Sequence, residues 1–556
     1  MISFFYKICC FFAVEIMPMF RKILAYIFIF FMAVASYQCA RRGSPTGGPK
    51  DETPPTLTKA EPENMTINFK SEKIRLYFDE LVKLEDVQEQ LVVSPPLKYP
   101  PLLSPQGGAN KFIEITIKDT LLENTTYTLN FGQSIVDNNE GNPNSFLTYV
   151  FSTGDYIDSL ELAGVVKDGF NKEADDFISV MLYKIDSAYT DSTLYQKPPN
   201  YITNTLDSTV IFRLKNLKEG KYALFAVKDE AKDNVFNQQT DKIAFINDTI
   251  NLPTDSIYLL TLFKEIPNYG AAVPSMVAKN RISFGYYGDG KDVRINSISQ
   301  IPDTVKTMVL KESDKDTLNY WFTPYEMDSL VFTVTNEALK VIDTFTVKNR
   351  KVGVDSLRLS PNKKGNLDFG DSFNISINTP IVTLDTSKIK MISKDSIAVD
   401  FSLKLDSLKN KVDFDFLAEP NENYKIELLP GAIQDFFEQT NDTINYSLST
   451  KSLADFGNLS LNLNGTNINY PIIVQLTNEK GKVQREIYAT GPKVFEFSNI
   501  DPGNYLVRII FDENENRQWD TGNYLERIQP EKVSYYPGLI EMRANWEKIE
   551  TFNLID

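Results

Sequence analysis

A metal-ligating pattern near the C-terminus is the motif of this chain that could most directly do chemistry. Its side chains stand at the first, third, fifth and ninth positions of one segment: Asp512, Asn514, Asn516 and Asp520. Ca²⁺ binds about six to eight oxygen ligands, and side-chain oxygens at this spacing are typical of calcium-binding loops. Arg517, however, replaces the glycine that the helix–loop–helix calcium motif has at its turn. The pattern predicts a candidate calcium site, with a polar hairpin that satisfies its own backbone groups as the alternative.

Most other site chemistry is excluded by composition. The chain has no histidine, and its three cysteines are Cys9, Cys10 and Cys39. Ser-His-Asp triads, Cys-His pairs and His-ligated metals are therefore absent. The 74 acidic residues include no pair that stands out as the two carboxyl groups of a glycosidase, which lie about 5–9.5 Å apart in a cleft. We predict that the protein is not an enzyme, and a carboxylate-only enzyme is the second alternative.

The N-terminus has the features of an export signal. Arg21 and Lys22 precede an apolar stretch that suits a signal peptide but is short for a membrane span. Cys39 follows where a bacterial lipoprotein signal peptide places its acylated cysteine, and the segment resembles that family. The resemblance implies that residues 1–38 are removed and that Cys39 carries a lipid, with residues 39–50 as a flexible Gly/Pro-rich tether. A plain signal peptide or anchor with an incidental cysteine is the alternative.

Charge limits the partners of the protein. The formal net charge is -16 in a chain of 556 residues, which argues against nucleic acid as a partner because such proteins carry a basic face. An acidic body is also repelled by anionic headgroups. The charge therefore favours a protein held on a tether over one that lies on the membrane surface.

The body of the chain is predicted to be all-β. Short apolar alternations such as 112–117, 127–131 and 222–227 recur between turn residues every 8–12 positions. This period of two, with Ile, Val, Thr, Tyr and Phe, is the signature of strands, and the spacing is that of β-sandwiches. No long segment has a convincing helical period. The elements that position any site are therefore strands and the loops between them.

Internal repeats divide the body into segments. Residues 121–153 match 418–450, and residues 212–222 match 495–505 more closely. In the second pair, Asp229 and Asp512 follow seven residues after the repeated tyrosine, and Phe236 and Trp519 follow seven residues later. The segment between the copies has no counterpart, and a third type of β-sandwich is predicted there. The predicted domains of this extended chain are 51–155, 158–262, 263–354, 355–452 and 453–556.

The first of these domains resembles the bacterial Ig-like domain of surface-layer proteins. The resemblance rests on residues 51–55, 61–62, 76–80, 121, 127–129, 137–142 and 151–154. Residues 355–452 resemble a degenerate copy. Residues 158–262 and 453–556 resemble prealbumin-like or carboxypeptidase-regulatory-like sandwiches, on the basis of 162–166, 180–183 and the Gly-x-Tyr of 220–222 and 503–505. The whole resembles Ig-like-domain lipoproteins of Gram-negative envelopes, which implies binding or structural roles.

The predicted function is that of a non-catalytic scaffold in the cell envelope. The resemblance implies anchorage through Cys39 to the outer membrane, on its periplasmic face or at the cell surface, with another envelope protein as partner. The alternative is a surface lipoprotein that binds glycans. Its stacking platforms would be the aromatic clusters at 284–287, 320–322 and 535–537, although aromatic residues in β-proteins mostly pack in cores.

Overall fold

Strands make up nearly all of the regular structure. The computed structural model describes residues 51–145, 147–205, 210–312, 315–368, 371–465 and 468–554. The predicted fold class, all-β with tandem sandwiches, is confirmed. The exceptions are the helix α1 (Val87–Gln90) and three 3-10 helices at Asp191–Tyr195, Thr386–Lys388 and Leu453–Asp455. No helix in this part of the chain is long and apolar enough to cross a membrane.

Five groups of strands follow one another along the chain, and we call them domains I to V. Each group surrounds its own buried apolar cluster, because alternate side chains of a strand point to the same face. The clusters span residues 60–151, 162–262, 276–347, 367–448 and 459–552.

Domain I consists of a five-stranded and a three-stranded sheet. The order is β1-β2-β5-β4 with β7 beside β2 in the first sheet, and β3-β6-β8 in the second. Alternate residues of β5, Ile113 and Ile115, are fully buried between the sheets. The strands are β1 (Leu57–Glu61), β2 (Lys73–Leu84), β3 (Val92–Ser94), β4 (Leu102–Ser104), β5 (Asn110–Thr116), β6 (Thr126–Asn130), β7 (Ile135–Asp137) and β8 (Thr148–Ser152).

Domain II packs a three-stranded sheet against a five-stranded one. The smaller sheet has the order β12-β9-β16, and the larger has β11-β10-β13-β14 with β15 beside β13. Strands β9 and β16 run parallel, whereas the other pairs are antiparallel. The strands are β9 (Leu160–Asp168), β10 (Ser179–Lys184), β11 (Tyr201–Asn204), β12 (Ile211–Leu217), β13 (Gly220–Lys228), β14 (Lys242–Phe245), β15 (Ile250–Leu252) and β16 (Ile257–Leu262).

Domain III has sheets of the order β17-β19-β22-β21, with β18 beside β19, and β20-β23-β24. Phe284, Tyr320 and Phe332 are buried where the two sheets meet. The strands are β17 (Gly270–Ala271), β18 (Ser275–Ala278), β19 (Arg281–Tyr287), β20 (Val293–Ser297), β21 (Thr307–Lys311), β22 (Thr317–Phe322), β23 (Ser329–Asn336) and β24 (Val341–Lys348).

Domain IV has sheets of the order β25-β27-β31-β30 and β26-β34-β32-β29, with the small pair β28-β33 beside them. The strands are β25 (Leu359–Pro361), β26 (Gly365–Asn366), β27 (Phe373–Ile377), β28 (Ile381–Leu384), β29 (Ile389–Ile392), β30 (Ser402–Asp406), β31 (Lys411–Asp415), β32 (Asn423–Leu428), β33 (Ile433–Asp435) and β34 (Ile444–Ser449).

Domain V repeats the topology of domain II strand for strand. Its sheets are β38-β35-β42, with β35 and β42 parallel, and β37-β36-β39-β40 with β41 beside β39. The strands are β35 (Gly457–Asn464), β36 (Ile472–Asn478), β37 (Val483–Ala489), β38 (Phe495–Ile500), β39 (Gly503–Phe511), β40 (Val533–Tyr535), β41 (Ile540–Met542) and β42 (Glu547–Asn553). The repeat in the sequence is thus a repeat of structure.

The repeated tyrosines explain why these sequence matches are conspicuous. The hydroxyl of Tyr222 donates to the carbonyl of Lys218 (3.0 Å), and that of Tyr505 donates to the carbonyl of Asp501 (2.8 Å). Each bond closes the turn before a central strand, β13 or β39. A buried tyrosine hydroxyl needs such a partner, so the spacing between ring and turn is the same in both copies.

Candidate functional site: the β39–β40 loop and its contact with domain II

The predicted calcium-binding residues lie in the loop between β39 and β40, residues 512–532, and the structure brings them together. Asp512 is fully buried, and its two carboxylate oxygens accept the backbone N–H groups of Asn516 (3.0 Å) and Arg517 (2.9 Å). The side-chain amides of Asn514 and Asn516 both donate to Oδ2 of Asp520, at 2.5 and 2.7 Å. The four side chains therefore bond to one another and to the loop backbone.

These contacts correspond to the polar hairpin that is the alternative to a calcium site. Among the described residues, no group of three or more His, Cys, Asp or Glu side chains is arranged to hold a metal ion. Asp229, the counterpart of Asp512, accepts from the backbone of Lys232 and Asn234 in a loop of the same kind. Calcium binding at Asp512 stays a prediction, and Cys39, the predicted lipidation residue, lies outside the described residues.

The polar-hairpin alternative predicts that calcium has little effect on this loop, because the polar groups already satisfy one another. We expect the thermal midpoint followed by Trp519 fluorescence to be the same in calcium and in a chelator. The other two tryptophans of the chain, Trp321 and Trp546, are changed to Phe in both samples to isolate the signal. A midpoint that rises with calcium, and that does not rise after Asp520→Asn, would establish the site.

A buried glutamate that the sequence pattern did not single out closes the loop. The carboxylate of Glu531 accepts the backbone N–H groups of Glu513 (2.8 Å) and Asp520 (3.0 Å), and its own carbonyl accepts from the indole of Trp519 (3.0 Å). Burial raises the pKa of Glu531 above its usual range, with the charges of Asp520 and Asp512 acting in the same direction. Its distance of 11 residues from Asp520 gave no recognisable motif.

The loop is a docking element, because its tip lies inside domain II. Tyr524 is fully buried and stands edge-on to Phe225 and Phe245, with ring centroids 5.2 and 5.4 Å away. It completes an apolar cluster whose other fully buried members all belong to domain II or to the residues just after it. A buried aromatic side chain of this kind is the usual anchor of a protein interface.

Hydrogen bonds surround this anchor. The carboxylate of Glu265, which is buried just after domain II, accepts the backbone N–H of Tyr524 and the side-chain amide of Gln238. Thr521 donates to the carbonyl of Lys264 (2.6 Å). Further along, Gln529 donates to the carbonyl of Phe245 (3.1 Å). These polar groups are thus paired, which removes the penalty for burying them. The hydroxyl of Tyr195, whose ring lies beside Tyr524, is by contrast buried without a hydrogen-bond partner in the described structure.

A glycine allows the close approach of the loop to domain II. A Cβ atom at Gly522 would lie 2.6 Å from the carbonyl oxygen of Ile528 and 2.7 Å from the ring of Phe263. Both distances are shorter than van der Waals contact allows for a Cβ atom. Only glycine fits at this position while the loop is docked.

The docked loop closes a circuit of domains, by which we mean that domains II, III, IV and V contact one another in a closed ring. In addition to the contact between domains V and II, contacts join domains III to II, III to IV and IV to V. The backbone N–H of Asn268 donates to the side-chain oxygen of Gln238 (III to II). The rings of Trp321 and Phe437 are in contact (III to IV), and Lys451 forms an ion pair with Asp501 (IV to V). The expected extended chain did not include this return of the last domain to the second. The predicted calcium loop is therefore one side of an interdomain joint.

The aromatic clusters predicted as glycan platforms are largely internal. Phe284, Tyr320 and Trp321 are buried in domain III. Tyr535 and Tyr536 are half-buried, and their hydroxyls donate to the carbonyl of Phe170 (2.7 Å) and to the carboxylate of Glu550, respectively. These rings are held by the protein itself, so these positions give little support to a sugar-stacking role.

Another loop rich in oxygen-bearing side chains, at 137–142, is a tight turn. Asp137 is buried and accepts four backbone N–H groups, with Oδ1 bonded to residues 139, 140 and 141 and Oδ2 to residue 142. Gly141 has a φ of 79°, which suits glycine. Burial acts to raise the pKa of Asp137, but the four donors outweigh it and lower the pKa below its ordinary value.

The Asp137→Asn variant is expected to destabilise this turn by about 1–3 kcal/mol at pH 7. Because folding lowers this pKa, the contribution of Asp137 is complete above the unfolded value of about 3.9 and is lost as the pH falls through the folded value. Hydrogen exchange of the peptide covering 135–144 should therefore show a difference at neutral pH that shrinks in acid. Asp435→Asn is the matched control and should cost less, because Oδ2 of Asp435 has no hydrogen-bond partner in the described structure.

Comparison with known proteins identifies the first domain. Residues 51–153 match the family of bacterial Ig-like domains. A search of curated proteins found no match to the chain.

Solved structures with similar folds include domains 1–6 of the surface layer protein SbsC, at 13% identity over 85% of this chain and 67% of that one, with a TM-score of 0.15. The I9–I11 tandem of titin matches at 9% identity over 52% of this chain and 100% of that one, with a TM-score of 0.12. TM-scores this low say nothing about how the domains are arranged.

Proposed function

We propose that this Ig-like multidomain protein is a non-catalytic scaffold of a bacterial cell envelope, held at the outer membrane by a lipid on Cys39. The observation that carries the proposal is the closed circuit of domains II to V. A circuit closed by a buried aromatic anchor and paired polar groups holds several sandwich faces in fixed positions. Fixed faces lower the entropic cost of binding a partner, which is what a scaffold requires.

The placement of the aromatic residues favours a protein partner over a glycan. A stacking platform needs exposed rings, and the rings proposed for it mostly serve the core of domain III or the joint between domains V and II. Tandem β-sandwiches with free sheet faces and edges are instead suited to flat contacts and strand addition. Catalysis is not part of the proposal, since folds of this type serve many roles and no chemistry follows from the fold alone.

The anchor is tested by following the protein with a C-terminal tag through detergent phase separation of cell extracts. The wild type and the control Cys10→Ala should enter the detergent phase, whereas Cys39→Ala should stay in the aqueous phase. Equal partitioning of Cys39→Ala and the wild type would remove the lipid anchor from the proposal.

The scaffold role is tested by crosslinking in cells and mass spectrometry of the purified, tagged protein. We expect a defined envelope protein among the products, at a yield that falls in Cys39→Ala because the variant is no longer held beside it. Recovery of the protein alone and monomeric would contradict a scaffold role, and a polysaccharide array would then test the glycan alternative.

A further inference from the structure

The outer face of the smaller sheet of domain II carries exposed apolar side chains in register. Val165 on the central strand β9 is paired with Ile211 on one side and Leu259 on the other. In the next row, Ala163 is paired with Ile257. Ile257, Ile211 and Leu259 are 78%, 67% and 52% exposed. Apolar side chains in adjacent rows of one sheet face form a continuous patch, and such patches on a protein surface commonly mark interaction sites.

Basic side chains border this patch. Lys167 follows Val165 on the outer face of β9, and Arg213 and Lys215 follow Ile211 on the outer face of β12. Glu161 is the one acidic residue on the outer faces of these two strands, and it lies 3.8 Å from Arg213. Three basic residues against one acidic residue make this face positive, in a protein whose net charge is -16.

Domain V shows that the fold does not require such a face. The repeat places Ser460, Asn462 and Thr551 where domain II has Ala163, Val165 and Leu259. Polar side chains on the face of domain V bond to one another, and Ser460, for example, donates to Glu496 at 2.7 Å.

The charge of the two faces differs as well. Glu496 replaces Arg213 in the repeat, and Glu547 lies on the same face of β42, where it accepts from Asn458 at 2.6 Å. Ile549 and Val494, which are 73% and 48% exposed, keep the apolar type of their counterparts Ile257 and Ile211. The two copies therefore differ in their central row and in charge. Domain II has Val165 and Leu259 with basic edges, whereas domain V has Asn462 and Thr551 with acidic neighbours.

We propose that the outer face of β12, β9 and β16 is the surface through which the scaffold binds its partner, and that the partner presents apolar side chains surrounded by acidic ones. This inference rests on the proposed function and adds to it the surface and the chemistry of the partner. A symmetric contact between two copies of the chain fits poorly, because two such faces would bring like charges together. An anionic membrane is disfavoured by the negative charge of the rest of the protein.

The test places the photo-crosslinking amino acid p-benzoyl-phenylalanine at position 257 of the full-length protein in cells, and at position 549 as the control. Both native side chains are isoleucines of similar exposure at equivalent positions of the two domains. We expect one protein to be crosslinked from position 257 and not from 549. Peptide mapping should place the crosslink on a surface of that protein with apolar residues and net negative charge.

Charge variants sharpen the test. The double variant Arg213→Glu and Lys215→Glu should lower the yield of the crosslink from position 257 by about tenfold, as the loss of a strong interface contact would. Both side chains are exposed, so the domain should fold as before.

Several outcomes would overturn the inference: equal crosslinking from 549, crosslinks to a second copy or to lipid, a partner surface without acidic residues, or no product from 257. If a defined partner is instead crosslinked from other faces, the scaffold stands and only this surface is wrong. If no position yields a protein, the proposed function fails as well.

Discussion

Replacement of Tyr524 by alanine is expected to detach domain V from domain II. The ring is fully buried against Phe225 and Phe245 of the other domain, and loss of a large buried aromatic side chain costs about 3–5 kcal/mol. The radius of gyration measured by small-angle X-ray scattering should rise as the circuit opens. Urea unfolding followed in domain II should shift to lower concentrations, because its apolar cluster loses a member.

Two control variants show whether the effect is specific to the ring of Tyr524. Leu525→Ala changes the neighbouring residue, which is 52% exposed, and should leave both measurements unchanged. Tyr524→Phe keeps the ring and should retain most of the contact. If Tyr524→Ala scatters like the wild type, the remaining contacts, such as the ion pair of Arg527 with Asp191 and the ring contact of Trp519 with Phe170, hold the domains together. Tyr524 is then not the anchor.

Replacement of Gly522 by valine is expected to open the same joint by a different route. A Cβ atom at this position meets the ring of Phe263 and the carbonyl of Ile528 at distances below 3 Å, and overpacking of this kind costs about 1–3 kcal/mol even for small additions. Valine adds two further carbon atoms, so we expect undocking. Crosslinking between cysteines introduced on domains II and V should lose most of its yield.

Gly491→Val is the matched control for this variant. Gly491 belongs to the same domain, and a Cβ atom there would meet nothing within 4 Å. The control should therefore crosslink like the wild type. Retention of the crosslink in Gly522→Val would mean that the loop can shift without releasing Tyr524, and that the close approach at this glycine is not needed for docking.

The local features of the fold could be predicted from the sequence because they recur at fixed spacing. The strand signal comes from alternation, and the repeat from pairs such as Phe212 with Phe495 and Tyr222 with Tyr505. These residues keep their spacing because each copy uses them in the same way, as core rings or as closures of a turn.

The joint between domains II and V could not be predicted in this way. The partners Tyr524 and Glu265 are 259 residues apart, and neither lies in a motif. Tyr524 falls in a part of the loop where domain II has no matching residue, and its burial depends on a surface that exists only once domain II has folded. A long-range contact of this kind leaves no periodic signal in the chain.

The loop chemistry was ambiguous for a different reason. Carboxylate and amide oxygens at alternate positions serve equally well as calcium ligands or as acceptors for the backbone of a turn. The structure shows the oxygens of Asp512 accepting backbone N–H groups, and it adds Glu531, which no spacing rule would have selected.

The docking of domain V on domain II also sets an order of events during synthesis. The site that receives Tyr524 is complete long before that residue leaves the ribosome or crosses a membrane, since domain II ends near residue 262. Until then Phe225 and Phe245 lack the Tyr524 ring that packs on them, and apolar surface left open on partly made chains promotes aggregation. A chain truncated before residue 524 is therefore expected to aggregate rather than to form a smaller scaffold.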